Sequence, residues 1–553
     1  MRNLGDRLQA FHVESTVAST VAATVAPAVA SPVASSVRSR SAAAAAAPAL
    51  RLPRPTLPDR IAFALAFAGN QFIKLACLTF GTFLAFFERL SPRALERGGR
   101  IRARAVFFRA LKTVPGYARF VESCPARDSA IPETDKDSYI RPYRIEERCV
   151  GGRLPLHAVS IDESSGSTGI PYNWVRTDKE RHQSHVFVSY FATYVYGKEP
   201  WITINAFSMG AWATGVNMGV AMTRNGVVKN TGPDIAKILH TLRFFGPGYR
   251  YVVAGYPPFL KHLIDAADAE AFPWTDFRIS GLAGGEGMSE GLRDYLERRF
   301  ARVYSGYGAT DLEIGIAGET ALTVAIRRLA RDRADVREAL FGADSRLPML
   351  FQYNPLMHHV EVNANRELLF TINRSSILSP RVRYNVHDEG GVARFDELAD
   401  RLSSAGVDVA ALRRKCEAGR LRLPFLWVYG RRDYTVSVMG ANIYPEDLEQ
   451  CLYAEPELAR VTRSFCLGLA EGTDGSVRPR FVFEVTDPIS EPLRTAFADR
   501  IVRGLIALNA DFREAWREYP ETLVPVIELH RQGEGPFAAD AGRIKQARLL
   551  KKT

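Results

Sequence analysis

From about residue 100 to the end of the chain, apolar residues at helical spacing alternate with short apolar runs at strand spacing. Residues 290–300, EGLRDYLERRF, put Leu292, Tyr295, Leu296 and Phe300 on one side of a predicted helix. Tyr251-Val252-Val253-Ala254-Gly255 predicts a buried strand running into a turn. Such pairs recur without any internal sequence repeat, so an α/β protein is expected, with mixed sheets covered by helices. Residues 390–425 predict a helical insertion in which Leu398, Leu402 and Leu412 stand among charges.

The first hundred residues follow other patterns. Ala, Val, Ser and Pro dominate the first fifty or so, with Arg38, Arg40, Arg51 and Arg54 and few acids. Such a composition packs no core and reads as a disordered tail, an over-extended start of the reading frame, or a targeting peptide. Pro27 and Pro32 interrupt its Val/Ala stretch and argue against a compact signal-peptide core. Residues 61–87 are strongly apolar with Lys74 as the only charge. Asn70, Gln71 and Lys74 fall near the middle, where a charge in hydrocarbon costs about 2.5 kcal/mol or more. Two shorter helices, packed on the body or lying in a membrane interface, fit better than one membrane span. The expected organisation begins with a tail at 1–58 and an apolar helical segment at 59–100.

The length of 553 residues leaves room for at least two domains. The net charge of +11, from 72 basic and 61 acidic side chains, contains no block of Lys or Arg. Nucleic acid is therefore not an expected partner, whereas phosphorylated small molecules and anionic lipid remain compatible. Six scattered cysteines without a Cys-x-x-Cys pair point to a reducing, cytoplasmic setting, with or without membrane association, and to no structural zinc.

Candidate chemistry begins at Ser164-Ser165-Gly166-Ser167-Thr168-Gly169-Ile170-Pro171. Its glycines permit close backbone approach, and its hydroxyls with the backbone N–H groups can surround a polyphosphate. No Gly-Lys-Ser/Thr follows, so it is not a Walker loop. Downstream come Gly284-Gly285-Glu286, Tyr307-Gly308-Ala309-Thr310-Asp311, Arg383-Tyr384-Asn385-Val386-His387-Asp388, Gly430-Arg431-Arg432-Asp433 and Gly440-Ala441-Asn442-Ile443-Tyr444-Pro445-Glu446. In this order, from about residue 130 to the C-terminus, they resemble the adenylate-forming superfamily of acyl-CoA ligases, adenylation domains and luciferases. The branch most resembled is that of the phenylacetate-CoA ligases and coenzyme-F adenylating synthetases.

The resemblance implies ATP, Mg2+ and CoA as cofactors and a small carboxylic acid, aryl or fatty, as substrate. The acid would become an acyl-adenylate and pass to a thiol, either CoA or an acyl-carrier protein. Amide formation on an amine, or a nucleotide-binding pseudoenzyme at a membrane, are the alternatives. By the same resemblance Ser164, Ser165, Gly166, Ser167, Thr168 and Gly169 hold phosphate, and Thr168 with Asp311 serves the metal. Asp311 stands where Glu is usual, one methylene short. Gly285 and Glu286 border the adenine, Tyr307-Gly308 lies along the adenine or the acyl pocket, Thr310 reaches the α-phosphate, Asp388 accepts the ribose hydroxyls and Arg431 reaches the ribose and phosphate edge. His387 replaces a common Gly, and Asp433 falls at the hinge between the two half-reactions, so the resemblance implies a large adenylation domain at 101–429 and a smaller mobile α+β domain at 430–553. Where family members carry Gly-Lys near the end, this chain reads Gly542-Arg543-Ile544-Lys545, leaving Arg543 or Lys545 as the adenylation cation. Phe207, Gly210, Trp212, Thr214 and Gly215 belong to the implied acid-binding region. The oligomeric state has no signature in the chain.

Overall fold

A computed structural model describes residues 54–124, 131–163, 172–210, 213–344, 346–416, 421–431, 436–439, 441–471, 477–518, 520–540 and 548–550. The expected tail thus lies almost wholly outside the described residues. The described chain opens with four helices: α1 (Leu57–Ala76), α2 (Phe80–Arg89), α3 (Pro92–Thr113) and α4 (Pro115–Ser123). The apolar stretch is therefore two helices, split at residues 77–79, where the Thr79 hydroxyl accepts the Thr82 N–H at 3.2 Å and starts α2. No described helix is long and apolar enough to cross a membrane.

Phe83 and Phe87 of α2 are buried with Leu95 and Tyr190. One side of α1 packs on α3, where Phe63 lies 5.8 Å from Phe108 between ring centres and Asp59 meets Arg104 at 2.6 Å. The other side of α1 is apolar and open, with Leu57 71%, Ile61 56%, Leu65 69% and Leu75 62% exposed. At 100° per residue these four fall on one stripe.

Strands β1 (Val159–Glu163) and β2 (Asn173–Thr177) form an antiparallel hairpin. A large sheet follows, built from β3 (Trp201–Asn205), β4 (Gly226–Asn230), β5 (Arg250–Gly255), β6 (Arg278–Gly284), β7 (Val303–Ala309), β8 (Glu313–Gly318), β9 (Met349–Tyr353), β10 (His358–Val362), β11 (Glu367–Ile372), β12 (Tyr384–Ala393) and β13 (Phe425–Arg431). Among the described residues its order is β10-β11-β12-β13-β9-β8-β7-β6-β5-β3-β4. Pairings from β4 through β7 are parallel, and those from β7 onward are antiparallel. The predicted strand is β5, buried at every position after Arg250.

Helices α5 (Asp178–Tyr196) and α6 (Ala213–Met222) cover one face, joining Phe207 and Leu282 in a shared apolar cluster. The main core lies on the other face and includes Phe107, Leu239, Leu263 and Leu292. The predicted helix at 290–300 spans Glu290–Leu296 and then turns. Leu292, Leu296 and Phe300 are buried and Tyr295 partly so, because the Phe300 N–H still bonds the Leu296 carbonyl at 2.9 Å while the chain bends toward β7. In the expected insertion, β12 continues to Ala393 before helices Phe395–Ser404 and Val409–Lys415. Leu398 and Leu402 pack on Phe341 and Trp427, so this segment shields one end of the sheet.

Beyond Val436, β14 (Val436–Val438) pairs with β15 (Ala441–Ile443), and β16 (Thr462–Glu471), β17 (Val477–Val485) and β18 (Val526–Arg531) form a separate sheet. These strands and their helices share a core around Leu452, Phe481, Phe483, Phe497 and Leu505. The Glu449 carboxylate accepts the Ser289 N–H at 2.9 Å, and Lys261 Nζ donates to the Thr462 carbonyl at 3.0 Å, tying this part to the larger sheet.

Candidate functional site

Parallel strands release their following loops at one edge of a sheet, which is where open α/β sheets hold ligands. Here β3, β5, β6 and β7 deliver Phe207, Tyr256, Gly285 and Thr310 to that edge. Gly285 has φ +86°, and a Cβ there would stand 2.7 Å from the Tyr256 ring, so only glycine fits this turn. Strand β7 carries a register shift against β8 between Tyr307 and Ala309, which re-aims the side chains that close the strand.

Tyr307 and Asp388 are 81 residues apart, yet the Tyr307 hydroxyl donates to Asp388 Oδ2 at 2.6 Å. Asp388 in β12 is the register partner of Arg431 in β13. The sequence-predicted trio Tyr307, Asp388 and Arg431 is thus brought together. His387, between Asp388 and Val386, has φ +62°, a left-handed conformation that explains why glycine suits the position. Its N–H donates to Asn385 Oδ1 at 2.7 Å, and its ring stands between Asp135 and Glu367 at 3.6 and 3.3 Å. Hydrogen bonding to Asp135, and secondarily to Glu367, raises the imidazole pKa against the opposing effect of burial.

Asp311 is nearly buried and surrounded by donors. Lys136 Nζ lies 3.1 Å from Asp311 Oδ2, and the Tyr384 hydroxyl donates to the same oxygen at 2.9 Å. Arg381 Nε donates to the Asp311 carbonyl at 2.8 Å while its guanidinium sits 4.5 Å from the Trp174 ring centre. Burial, with repulsion from Arg176, lowers the Arg381 pKa to about 10. The next acid along the chain, Glu313, is unsuited to a metal, because His358 and Arg374 both bind its carboxylate. Burial alone pushes Glu313 up, but the Arg374 guanidinium, with the hydrogen bond to His358, overcomes it and brings its pKa to about 2.

The Ser/Gly loop at 164–171 lies outside the described residues, but both ends of it are fixed. Asp162 of β1 pairs with Arg176 of β2 at 3.2 Å, and Arg176 donates to the carbonyls of Thr310 and Leu312 at 2.6 and 2.5 Å. The hairpin that carries the loop is thereby anchored beside Thr310 and Asp311. Ser164, Ser165, Gly166, Ser167, Thr168, Gly169, Trp212, Asp433, Arg543 and Lys545 are outside the described residues, as is the Arg431 side chain.

An apolar cavity of about 180 Å³ opens against Gly284, Gly285 and the 306–310 strand end. Phe207 and Thr214 of the expected acid-binding region line it. Gly215 and Gly210 are not among its lining residues: a Cβ at Gly215 would fall 2.1 Å from the Ser208 carbonyl oxygen, and Gly210 turns the chain at φ +99°. Sequence reasoning missed Lys136, Tyr384, Asp135, Tyr256 and Arg381. Only Tyr384 carried a usable signal, because it lies inside the quoted motif that ends at Asp388.

Among the described residues, no group of three or more His, Cys, Asp or Glu side chains could hold a metal. Magnesium that arrives on nucleotide phosphates needs only one or two protein oxygens, and Asp311 is a carboxylate suited to supply one.

No protein-family model matches the chain, and no curated protein does. Solved structures do. A 2-hydroxyisobutyryl-CoA ligase in its postadenylation state, in complex with 2-HIB-AMP, superposes with a TM-score of 0.59 at 13% identity, covering 83% of this chain and 89% of that one. The same enzyme in complex with R3-HIB-AMP gives 0.58 at 13% identity with the same coverage. The chain thus has the fold of this AMP-forming ligase.

Proposed function

We propose that this protein activates a carboxylic acid with MgATP, releasing pyrophosphate and forming an acyl-adenylate, and then passes the acyl group to a thiol, with CoA the first choice. The observation that carries this reading is the convergence of Tyr307, Asp388 and Asp311 at one strand edge, beside an apolar cavity and the anchored ends of the Ser/Gly loop. Within it, Asp388 accepts the ribose hydroxyls, Gly285 and Tyr307 border the adenine, and Thr310 meets the α-phosphate. Thr168 and Asp311 serve magnesium. The residues from Arg431 onward act as a domain that turns about Asp433, bringing Arg543 or Lys545 to the reacting carboxylate. The branch of the phenylacetate-CoA ligases and coenzyme-F adenylating synthetases is the one proposed.

The exposed stripe of α1 favours one addition, namely peripheral attachment to an anionic membrane. Arg54 and Arg60 stand exposed beside Leu57, Ile61 and Leu65, the pairing of apolar and basic groups that interfacial helices use.

The test is acid-dependent pyrophosphate release over a panel of carboxylic acids. Thr168→Val combined with Asp311→Ala should abolish it in a folded protein. Wild-type turnover by that variant, or no release with any acid, rejects the activity.

A further inference from the structure

The apolar cavity does not end at the residues that the family resemblance marked. From Gly306 to Thr310 it continues between α5 and α6 to Phe83 of α2 and to Leu421 and Leu423, just before β13. The N-terminal helical segment and the stretch after the helical insertion thus close its far end. Phe83 is buried there, its ring 5.3 Å from that of Tyr190.

No Arg, Lys, His, Asp or Glu occurs among the described lining residues. Several of the polar tips that do occur are engaged elsewhere. Tyr190 donates to the Cys77 carbonyl at 2.8 Å, Tyr194 bonds the Leu421 backbone and Tyr256 bonds Ser208. Gln352 Nε2 donates to the Leu423 carbonyl at 3.1 Å, and its Oε1 accepts from Thr320 at 3.0 Å. Asn354 Nδ2 is buried without an acceptor, and one neutral donor cannot replace the hydration of a charged group. The rings and methyl groups face inward, so the cavity suits hydrocarbon and excludes a second charge.

We infer that this cavity holds the tail of a medium-chain, uncharged aliphatic monocarboxylic acid, and that Phe83 of α2 sets the chain length accepted. The inference rests on the proposed activity for the placement of the carboxylate at the Thr310 end. At roughly 30 Å³ per water-sized group, a volume of about 180 Å³ admits about six heavy atoms beyond the carboxylate. That corresponds to hexanoate through octanoate.

Two variants probe the two ends. Phe83→Ala lengthens the closed end. Gly306→Val narrows the inner end, since a Cβ at Gly306 meets nothing within 4 Å and the strand tolerates the substitution. The measurements are kcat/KM for pyrophosphate release along the straight-chain acids from acetate to dodecanoate, with adipate as the charged-tail comparison, and octanoate affinity by calorimetry without ATP. Each buried methylene should raise kcat/KM about fourfold up to hexanoate or octanoate. Adipate should be at least ~100-fold poorer than hexanoate. Phe83→Ala should move the optimum two to four carbons longer by the loss of about one ring's volume, and Gly306→Val should lower every acid beyond butanoate. Octanoate should bind the wild type and bind Gly306→Val at least ~10-fold more weakly.

An optimum at acetate, equal use of adipate, or a profile unmoved by both variants overturns the inference while leaving acid activation standing. If no acid is activated but octanoate binds and both variants change its affinity, the cavity assignment stands and the proposed activity falls. If octanoate neither binds nor is activated, the assignment falls.

Discussion

His387→Gly separates two opposing effects at a residue that touches Asp388 through the backbone. In favour of the variant, a side chain at φ +62° costs about 1–2 kcal/mol relative to glycine. Glycine's extra freedom in the unfolded chain returns about 0.5–1 kcal/mol of that. Against the variant stand the contacts to Asp135 and Glu367, each worth at most about 1 kcal/mol because the imidazole is 47% exposed. Those contacts need the charged ring. The folded-state pKa is raised above the ordinary 6.5, so their contribution is complete below pH 6.5 and is lost as pH rises through the raised value. At pH 5.5 the variant should therefore melt at, or about 1–2 °C below, the wild-type temperature. At pH 9 it should melt about 1–2 °C above, a swing of about 1–2 kcal/mol in favour of glycine. Scanning calorimetry at pH 5.5, 7 and 9 reads the difference directly. His387→Asn, which tolerates the left-handed region but carries no charge, should show the same swing with a smaller offset. A difference in melting temperature that stays constant across this range refutes the argument, because it would mean that the imidazole charge makes no stabilising contact.

Arg293→Met should cost about 3–5 kcal/mol, since the unexposed Glu319 would lose the cation it meets at 2.6 Å while Glu290 keeps Arg327, whereas Arg328→Met, on a side chain 35% exposed, should cost under about 1 kcal/mol. Equal melting temperatures for the two variants would contradict that ranking. The wild-type chain should float with phosphatidylglycerol vesicles and Ile61→Glu/Leu65→Glu should not, with pyrophosphate release unchanged; identical flotation of both, or of neither, counts against attachment through α1.

Periodicity located the elements whose burial is decided locally. The buried run at Tyr251 became β5, and the polar interruption at Asn70, Gln71 and Lys74 correctly indicated two helices. The break itself falls after Lys74, at Thr79, because a capping hydroxyl fixes a helix start more sharply than a drop in hydropathy does. Partners across the chain were not legible. Lys136 meets Asp311 over 175 positions, and Phe83 reaches a cavity otherwise built from residues beyond 186; no spacing rule spans such distances. The left-handed turn at His387 was legible only through the resemblance, which marks a common Gly at a position where this chain has none.

Around Asp311 the charges have a consequence for catalysis under the proposed reading. Bringing a carboxylate to a triphosphate requires positive charge that is already in place and already desolvated. Arg381 meets that requirement, since it donates to the backbone oxygens of Asp311 and Ser379 and stacks on Trp174. Lys136 differs, because its ammonium rests on the carboxylate that the resemblance assigns to magnesium. A cation arriving with the nucleotide would compete with Lys136 for Asp311, and the displaced ammonium would then lie within a side chain's reach of the phosphates. Under the proposed reading Asp311 and Lys136 therefore act as a pair: each neutralises the other until magnesium takes the carboxylate, and Lys136 is then released to the phosphates.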